Sequence, residues 1–491
     1  MSGRNTTTSM SHRINICVGV ISMLFFGHFS TFELNAQNRD TIIFQPQSRF
    51  DFSLLYSGYT PLIDRLGRPY VYLATKELGL VTFDIADRLN PFPVDSIPVA
   101  QLGNLKATGV SQEGVHLFIS LGDFQGAGEK AGLAIFDISN PLQPRLLDQW
   151  DSTAFAKGST SIQIQGDYAY LSAMDDGLII LDISNSKQIR FVSQFIPDLN
   201  FGNHHNGYHT RGLYLSGDTI LIANDNGGLR IVDITDKKKP VEVGKYVNQT
   251  IDATGIAYYN HVLKIGQYAV CAVDFCGIET IDLSNPSKMK NAAWLNPWNC
   301  TSQPPPFGSW NGSGGHCNEM AYSSVHHQIF ISGGDSQILA LDTKDPNHPK
   351  INGTYGPAQD NVGSWDADVY DDLIAIANIH TLGFPFQSTV GGLELIQWTQ
   401  STLTNEPVMV HPEIWFYPNP CNDQFAIHSN QSLEGVTLFM INGLGEVVLR
   451  KTLNQDSTQR IDCHKIPSAM YSLLLIKSGI LMTTQRLVVM D

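Results

Sequence analysis

The chain has 491 residues, enough for two or three domains with sizeable cores, and 42% apolar with 16% charged residues excludes bulk disorder. A formal net charge of −15 excludes the basic stripe that a nucleic-acid partner requires and disfavours docking to an anionic membrane.

Arg4, His12 and Arg13 precede a mostly apolar run from Ile14 to Phe29, and Leu34-Asn35-Ala36 offers a cleavage site before Gln37. This reads as a secretory signal peptide over residues 1–36 rather than a membrane anchor, because Asn15, Gly19, Ser22, Gly27 and His28 interrupt the run. No other segment approaches ~18 uninterrupted apolar residues, so no transmembrane span is expected in the mature protein.

Residues 37–398 are built on one repeated phrase: a glycine, an alternating apolar run, an aspartate and a turn. It reads Gly79-Leu80-Val81-Thr82-Phe83-Asp84-Ile85, then Gly132 to Pro141, Gly177 to Asn185, Gly228 to Asp236 and Gly277 to Pro286. Degraded copies follow at Gln337 to Asp342 and Gly392 to Gln397. The aspartate spacings are 53, 45, 51, 49 and 60 residues, with 55 more to Gln397. Such a period marks a supersecondary unit that must stack on its neighbours to bury its apolar face. β-Branched and aromatic residues broken by Gly, Asp and Asn make that unit a small antiparallel sheet. Seven units in a ring predict an all-β, seven-bladed β-propeller. The last unit lacks an outer strand after Trp398, and Thr41-Ile42-Ile43-Phe44 is expected to fill that place.

The phrase resembles the LVIVD repeat, most clearly at Gly228-Leu229-Arg230-Ile231-Val232-Asp233-Ile234 and Gly177-Leu178-Ile179-Ile180-Leu181-Asp182-Ile183. The resemblance implies a propeller on a bacterial surface or secreted protein and carries no particular ligand or reaction.

Thr399 to His411 reads as a linker, and residues 412–491 as a separate small β-sandwich with alternating patterning, Val436/Leu438/Met440 against Thr437/Phe439/Ile441. This module resembles the type A C-terminal sorting domain of the type IX secretion system. The resemblance rests on Tyr417-Pro418-Asn419-Pro420, Phe425-Ala426-Ile427, Val436 to Gly445, Pro467 to Leu473 and Arg486-Leu487-Val488-Val489. Ala469 stands where the family usually has glycine, and the chain closes on Met490-Asp491 rather than a lysine. The resemblance implies passage through the periplasm, engagement of the type IX machinery through residues 412–491, and delivery to the outer cell surface or medium.

Seven cysteines occur, and Cys17 falls in the signal peptide. Proximity favours pairing Cys271 with Cys276, Cys300 with Cys317, and Cys421 with Cys463 as disulfides, with other connectivities open.

The repeated aspartates are expected to cap the turn that follows each strand, a structural task. A non-repeated cluster lies where the chain leads into the innermost strands of blades 4 to 7. It holds His204, His205, His209, His261, His316 and Asp366, residue types that suit a transition metal such as zinc, copper or iron. The same loops carry Tyr208, Arg211, Trp298, Phe307, Trp310, Glu319 and Trp365, a composition suited to glycan, peptide or small-molecule binding. The sequence thus predicts an exported binding or adhesion module, with a metal-dependent extracellular enzyme at the axial mouth as the alternative, Glu319 or Asp366 then serving as base. No G-x-S-x-G, Walker A or H-E-x-x-H motif occurs.

Overall fold

The structure, a computed structural model, describes residues 41–490 apart from 53–55, 124–128, 203–208, 302–308, 311–312, 315, 334–337, 357–360, 382–387, 402–413, 430–431, 444–446, 457 and 478–479. The expected signal peptide, most of the linker, and His204, His205, Tyr208 and Phe307 lie outside the described residues.

Seven four-stranded antiparallel sheets follow one another as blades. Blades 1 to 6 occupy 60–97, 107–152, 161–195, 213–246, 259–295 and 320–355. In blade 7, Gly363–Tyr370, Leu373–Ile379 and Gly392–Ser401 supply three strands, and Thr41–Asp51 supplies the outer one. The first strand of each of blades 1 to 6 is innermost, and the inner strands touch neighbour to neighbour around a ring in which Gly363–Tyr370 meets Thr60–Ile63. The closing strand runs antiparallel to its partner from Thr41 opposite Ser401 to Asp51 opposite Gly392, with a register shift between Pro46 and Ser48. Proline is tolerated there because the strand is an edge strand and bulged.

The repeated phrase forms the third strand of every blade. Its glycine has a physical cause. Gly79, Gly177, Gly228 and Gly277 take φ of +81°, +73°, +73° and +77°. A Cβ on any of them would lie 2.1–2.2 Å from a carbonyl oxygen at the end of the outer strand. The aspartate also behaves as expected. Asp84, Asp137, Asp182, Asp233, Asp282 and Asp342 each accept a hydrogen bond from the backbone N–H two residues on, at 2.8–3.0 Å.

A blade cannot bury its own faces, so the core is distributed over the gaps between blades. Tyr72 and Leu80 pack against Leu117 and Ile119 between blades 1 and 2. Leu221 and Leu229 meet Val262 and Cys271 between blades 4 and 5. The closing gap joins Leu393 and Leu395 of blade 7 to Val71 and Leu73 of blade 1.

None of the three expected disulfides is formed in the structure: Cys421 and Cys463 are buried free thiols, and the other two pairings are corrected. The bond present is Cys276–Cys300, with Cα atoms 5.2 Å apart. Hairpin register sets Cys271 opposite Glu279, while Cys276 sits in the turn that joins those strands, where its sulfur is bonded to Cys300 and Cys271 stays a buried free thiol. Cys300 belongs to the core between blades 4 and 5, and Cys317 to that between blades 5 and 6, so those two cannot meet.

Residues 414–490 form a two-sheet sandwich. Ile414–Tyr417, Gln424–Ser429 and Thr458–Asp462 make one sheet. The other has the order Val447–Thr452, Val436–Ile441, Ala469–Lys477, Ile480–Val489. Val436, Leu438 and Met440 are buried against Phe425, Ile427 and Ile461, which is the alternation read from the sequence.

Candidate functional site

Each inner strand begins beside the ring axis, so the first side chains after each lead-in loop define an axial layer. Blades 1 to 3 contribute small or hydroxyl-bearing residues there: Thr60, Gly109, Thr160 and Ser161. Blades 5, 6 and 7 contribute His261, Glu319 and Asp366. Together these residues line a cavity of about 250 Å³ on the axis. Gly212 of blade 4 carries no side chain because a Cβ would stand 2.7 Å from the His261 Cα and the Asn260 carbonyl oxygen. The Thr160 and Ser161 hydroxyls donate to the Arg211 carbonyl, at 3.2 and 2.8 Å, tying the neutral side of the layer to blade 4.

The charged side is electrostatically frustrated. Burial, with repulsion from Asp368 added, pushes the Asp366 carboxyl up to about 8 against the pull of the Ala367 N–H, which donates to it at 2.7 Å. Burial and the neighbouring Asp366 push Glu319 well above the usual carboxylate range, with Arg211 opposing. Burial drives His261 down to about 4, so its imidazole is neutral at physiological pH. The neutral His261 imidazole brings Nε2 to 3.4 Å from a Glu319 oxygen. Farther along the inner strands Asp368 is satisfied, accepting from Arg65 at 2.5 Å and from the Ile63 N–H at 2.7 Å.

Around this layer runs an arc of ion pairs, some of which join one blade to the next. The turn between the second and third strands carries an acidic residue in four consecutive blades: Asp123, Asp175, Asp225 and Asp274. Asp175 pairs with His209, and Asp274 with His316. Asp225 lies 3.8 Å from Arg211, and burial raises its carboxyl to about 6 against the pull of Arg211 and His209. Asp123 takes two lysines, Lys106 at 2.5 Å and the buried Lys76 at 2.9 Å.

The structure therefore separates the histidines that the sequence grouped together. His209, His261 and His316 each face a different carboxylate, and only His261 joins Asp366 in the axial cavity. Among the described residues no three His, Cys, Asp or Glu side chains converge to hold a metal ion.

The aromatic residues divide as well. Trp365 packs edge-on to Tyr59, with centroids 5.5 Å apart, and lies 5.9 Å from the His316 ring, which in turn lies 5.8 Å from Phe275. The Lys76 ammonium sits 4.6 Å from the Tyr59 centroid. This arc crosses blades 5, 6, 7 and 1 and stands next to Thr60 and Asp366. Trp298, by contrast, is 1% exposed among Leu263, Val270 and Ile329, a core position closed to a ligand. Trp310 lies in a two-residue strand paired with Ser313–Gly314. Sequence reasoning missed Tyr59, Lys76, Asp123, Asp175 and Asp274. The signal was available in the acidic residue that recurs after the second strand of successive repeats.

Residues 126–151, 157–195 and 207–248 match the LVIVD repeat, and residues 415–490 match the Secretion system C-terminal sorting domain. No curated protein matches the chain. Among solved structures, the RRP9 WD40 repeats superpose with a TM-score of 0.51 at 10% identity, covering 73% of this chain and 100% of that one. The WD40 β-propeller domain of Doa1 gives 0.47 at 9% identity, covering 74% and 98%. At 10% identity the likeness to the RRP9 repeats speaks for the fold alone. No helix among the described residues is long and apolar enough to cross a membrane. The chain is an LVIVD-repeat β-propeller protein that carries a type IX secretion C-terminal sorting domain.

Proposed function

We propose that this protein is an exported binding module whose propeller takes a small polar ligand into its axial cavity, the sorting domain serving as its address. The observation that carries the reading is the asymmetry of the axial layer: hydroxyl groups of Thr60, Thr160 and Ser161 face the carboxyls of Glu319 and Asp366 and the neutral imidazole of His261. Titratable groups displaced this far from their ordinary range, converging in one cavity, are the usual mark of a functional site. At about 250 Å³ the cavity falls below the ~300–1,000 Å³ range of drug-sized sites, so it suits one sugar ring or the amine-bearing end of a longer chain. Trp365 and Tyr59 directly precede Asp366 and Thr60 in the chain and pack on each other, and in this reading they contact the remainder of a glycan or peptide.

Export supports a surface role. The sorting domain fits a secreted or surface-attached protein, and in this reading residues 1–36 deliver the chain to the periplasm before the sorting domain hands it to the type IX machinery.

The metal-dependent enzyme has less behind it, since His209 and His316 are occupied by Asp175 and Asp274. The test is a calorimetric screen of the propeller against monosaccharides and short amines, with and without chelator, alongside elemental analysis. Saturable binding that is lost in Glu319→Gln and Asp366→Asn and untouched by chelator is the expected result. Full affinity in both variants would remove the axial site from consideration, and about one bound transition metal per chain would favour the enzyme.

A further inference from the structure

The sorting domain contains a second thiol pair in contact. The Sγ atoms of Cys421 and Cys463 are 3.4 Å apart, and both residues are 1% exposed. They are 42 residues apart in sequence and anchor different parts of the sandwich. The Cys421 N–H donates to the Val488 carbonyl at 2.9 Å, and its own carbonyl accepts from Met490 at 2.8 Å, so Cys421 clasps the end of the last strand. The Cys463 N–H donates to the Asp423 carbonyl at 2.8 Å, directly after the strand Thr458–Asp462 of the other sheet.

Two further observations bear on what these thiols do. The same chain already carries the Cys276–Cys300 cystine, as expected of a protein matured in an oxidising compartment. No third His, Cys, Asp or Glu joins Cys421 and Cys463 in a metal-holding group among the described residues.

We infer that Cys421 and Cys463 are a site of oxidative modification: they form a disulfide that ties the two sheets of the sorting domain together, and the bond is made before the sandwich closes. The chemistry is thiol–disulfide exchange with an oxidised dithiol oxidoreductase. One cysteine thiolate attacks the oxidant's disulfide and releases the first oxidant thiolate, giving a mixed disulfide. The second cysteine thiolate then attacks the chain's sulfur in that mixed disulfide and releases the other oxidant thiolate. Two thiols of the chain lose two electrons and two protons, and the oxidant disulfide gains them as a dithiol.

The order of events follows from access. In the closed sandwich both sulfurs are covered, and burial together with the neighbouring sulfur raises the Cys463 thiol to about 12, so little thiolate is on offer to an incoming oxidant. The open chain presents both thiols freely. Once formed, the bond is shielded from reductants by the same burial and restrains a long loop in the unfolded chain.

The test uses the full chain from two sources, one exported to an oxidising compartment and one made in a reducing cytosol. The exported chain is alkylated with iodoacetamide in urea without reductant, digested and weighed. A cross-linked peptide pair containing unmodified Cys421 and Cys463, released only by reduction, is expected. Alkylation of both cysteines, or linkage of either to another cysteine, overturns the proposal, and this readout needs no variant. For the order of events, the folded reduced chain is exposed to oxidised glutathione, and bond formation is expected at least ten-fold more slowly than in urea; equal rates overturn formation before closure. In the exported chain Cys421→Ser and Cys463→Ser are expected to lower the unfolding midpoint of the sorting domain by about 10 °C. An unchanged midpoint in both would deny the bond its stapling role.

Discussion

Arg49 and Glu394, 345 residues apart in sequence, form a two-point ion pair across the seam that closes the ring, with Nε and Nη2 each 3.0 Å from a carboxylate oxygen. Glu394 is 3% exposed and also accepts from Tyr355 at 2.6 Å and Asn378 at 3.0 Å. The pair joins the first strand of the propeller to the last, so a charge buried inside blade 7 depends on a residue brought by the other end of the domain.

Arg49→Ala is therefore expected to destabilise the propeller by about 2–3 kcal/mol, because it leaves a buried carboxylate with neutral donors only. Deleting residues 41–51 goes further by exposing the edge of Gly392–Ser401, and loss of cooperative urea unfolding or aggregation should follow. An unchanged midpoint in the deletion would show that the strand does not close the ring.

The glycine of the repeated phrase can be tested with an internal control. Gly228 and Gly217 both have positive φ, +73° and +62°, but a Cβ at 228 meets the Tyr246 oxygen at 2.1 Å while nothing lies within 4 Å of one at 217. Gly217→Ala should cost about 1 kcal/mol from backbone conformation alone, and Gly228→Ala clearly more, about 3 kcal/mol or above. Comparable losses in denaturant melts would contradict a steric origin for the repeat's glycine.

Asp366 gives the axial layer a pH signature. Its folded-state value of about 8 lies above the ordinary value near 3.8, so the native state holds a proton that the unfolded chain releases. Stability is unpenalised below about pH 4, falls as pH rises from there to about 8, and levels off once both states are ionised. Asp366→Asn should flatten this slope, matching the parent protein near pH 4 and exceeding it at pH 8.5. Parallel pH profiles for the two proteins would argue against a buried protonated carboxyl.

The histidines outside the cavity have a different expected phenotype. His316 is 8% exposed and paired with Asp274, so His316→Ala should cost about 1–3 kcal/mol by stranding that carboxylate. His209→Ala removes a half-buried partner of Asp175 and should cost less than about 1 kcal/mol. Neither is expected to weaken axial ligand binding. Loss of binding with intact stability in both would return these residues to the site.

The repeat period, the glycine at the start of each third strand and the aspartate at its end were all legible along the chain, because each answers to a constraint within a few residues. A positive φ, a carbonyl at close approach and a turn N–H are local matters, and their recurrence, with the aspartate in six of the seven blades, defines a ring. The strand at 41–44 was legible for a related reason: a missing outer strand is a count, and counts survive without coordinates. What only the tertiary structure decided is which residues of different blades meet. His209 and His316 looked equivalent to His261 as imidazoles ahead of inner strands, yet turn carboxylates from the preceding blades claim the first two and leave the third facing the axis. Cys300 stood nearer Cys317 than Cys276 in sequence, but the gap between blades 4 and 5 holds it beside Cys276. Trp298 carried the composition of a binding loop and became core, because its ring fills the gap between blades 5 and 6 among Leu263, Val270 and Ile329. The axial cavity itself belongs to no single repeat. It exists because ring closure brings seven blades to one axis, six of which line the cavity, with hydroxyls on one side and carboxyls on the other.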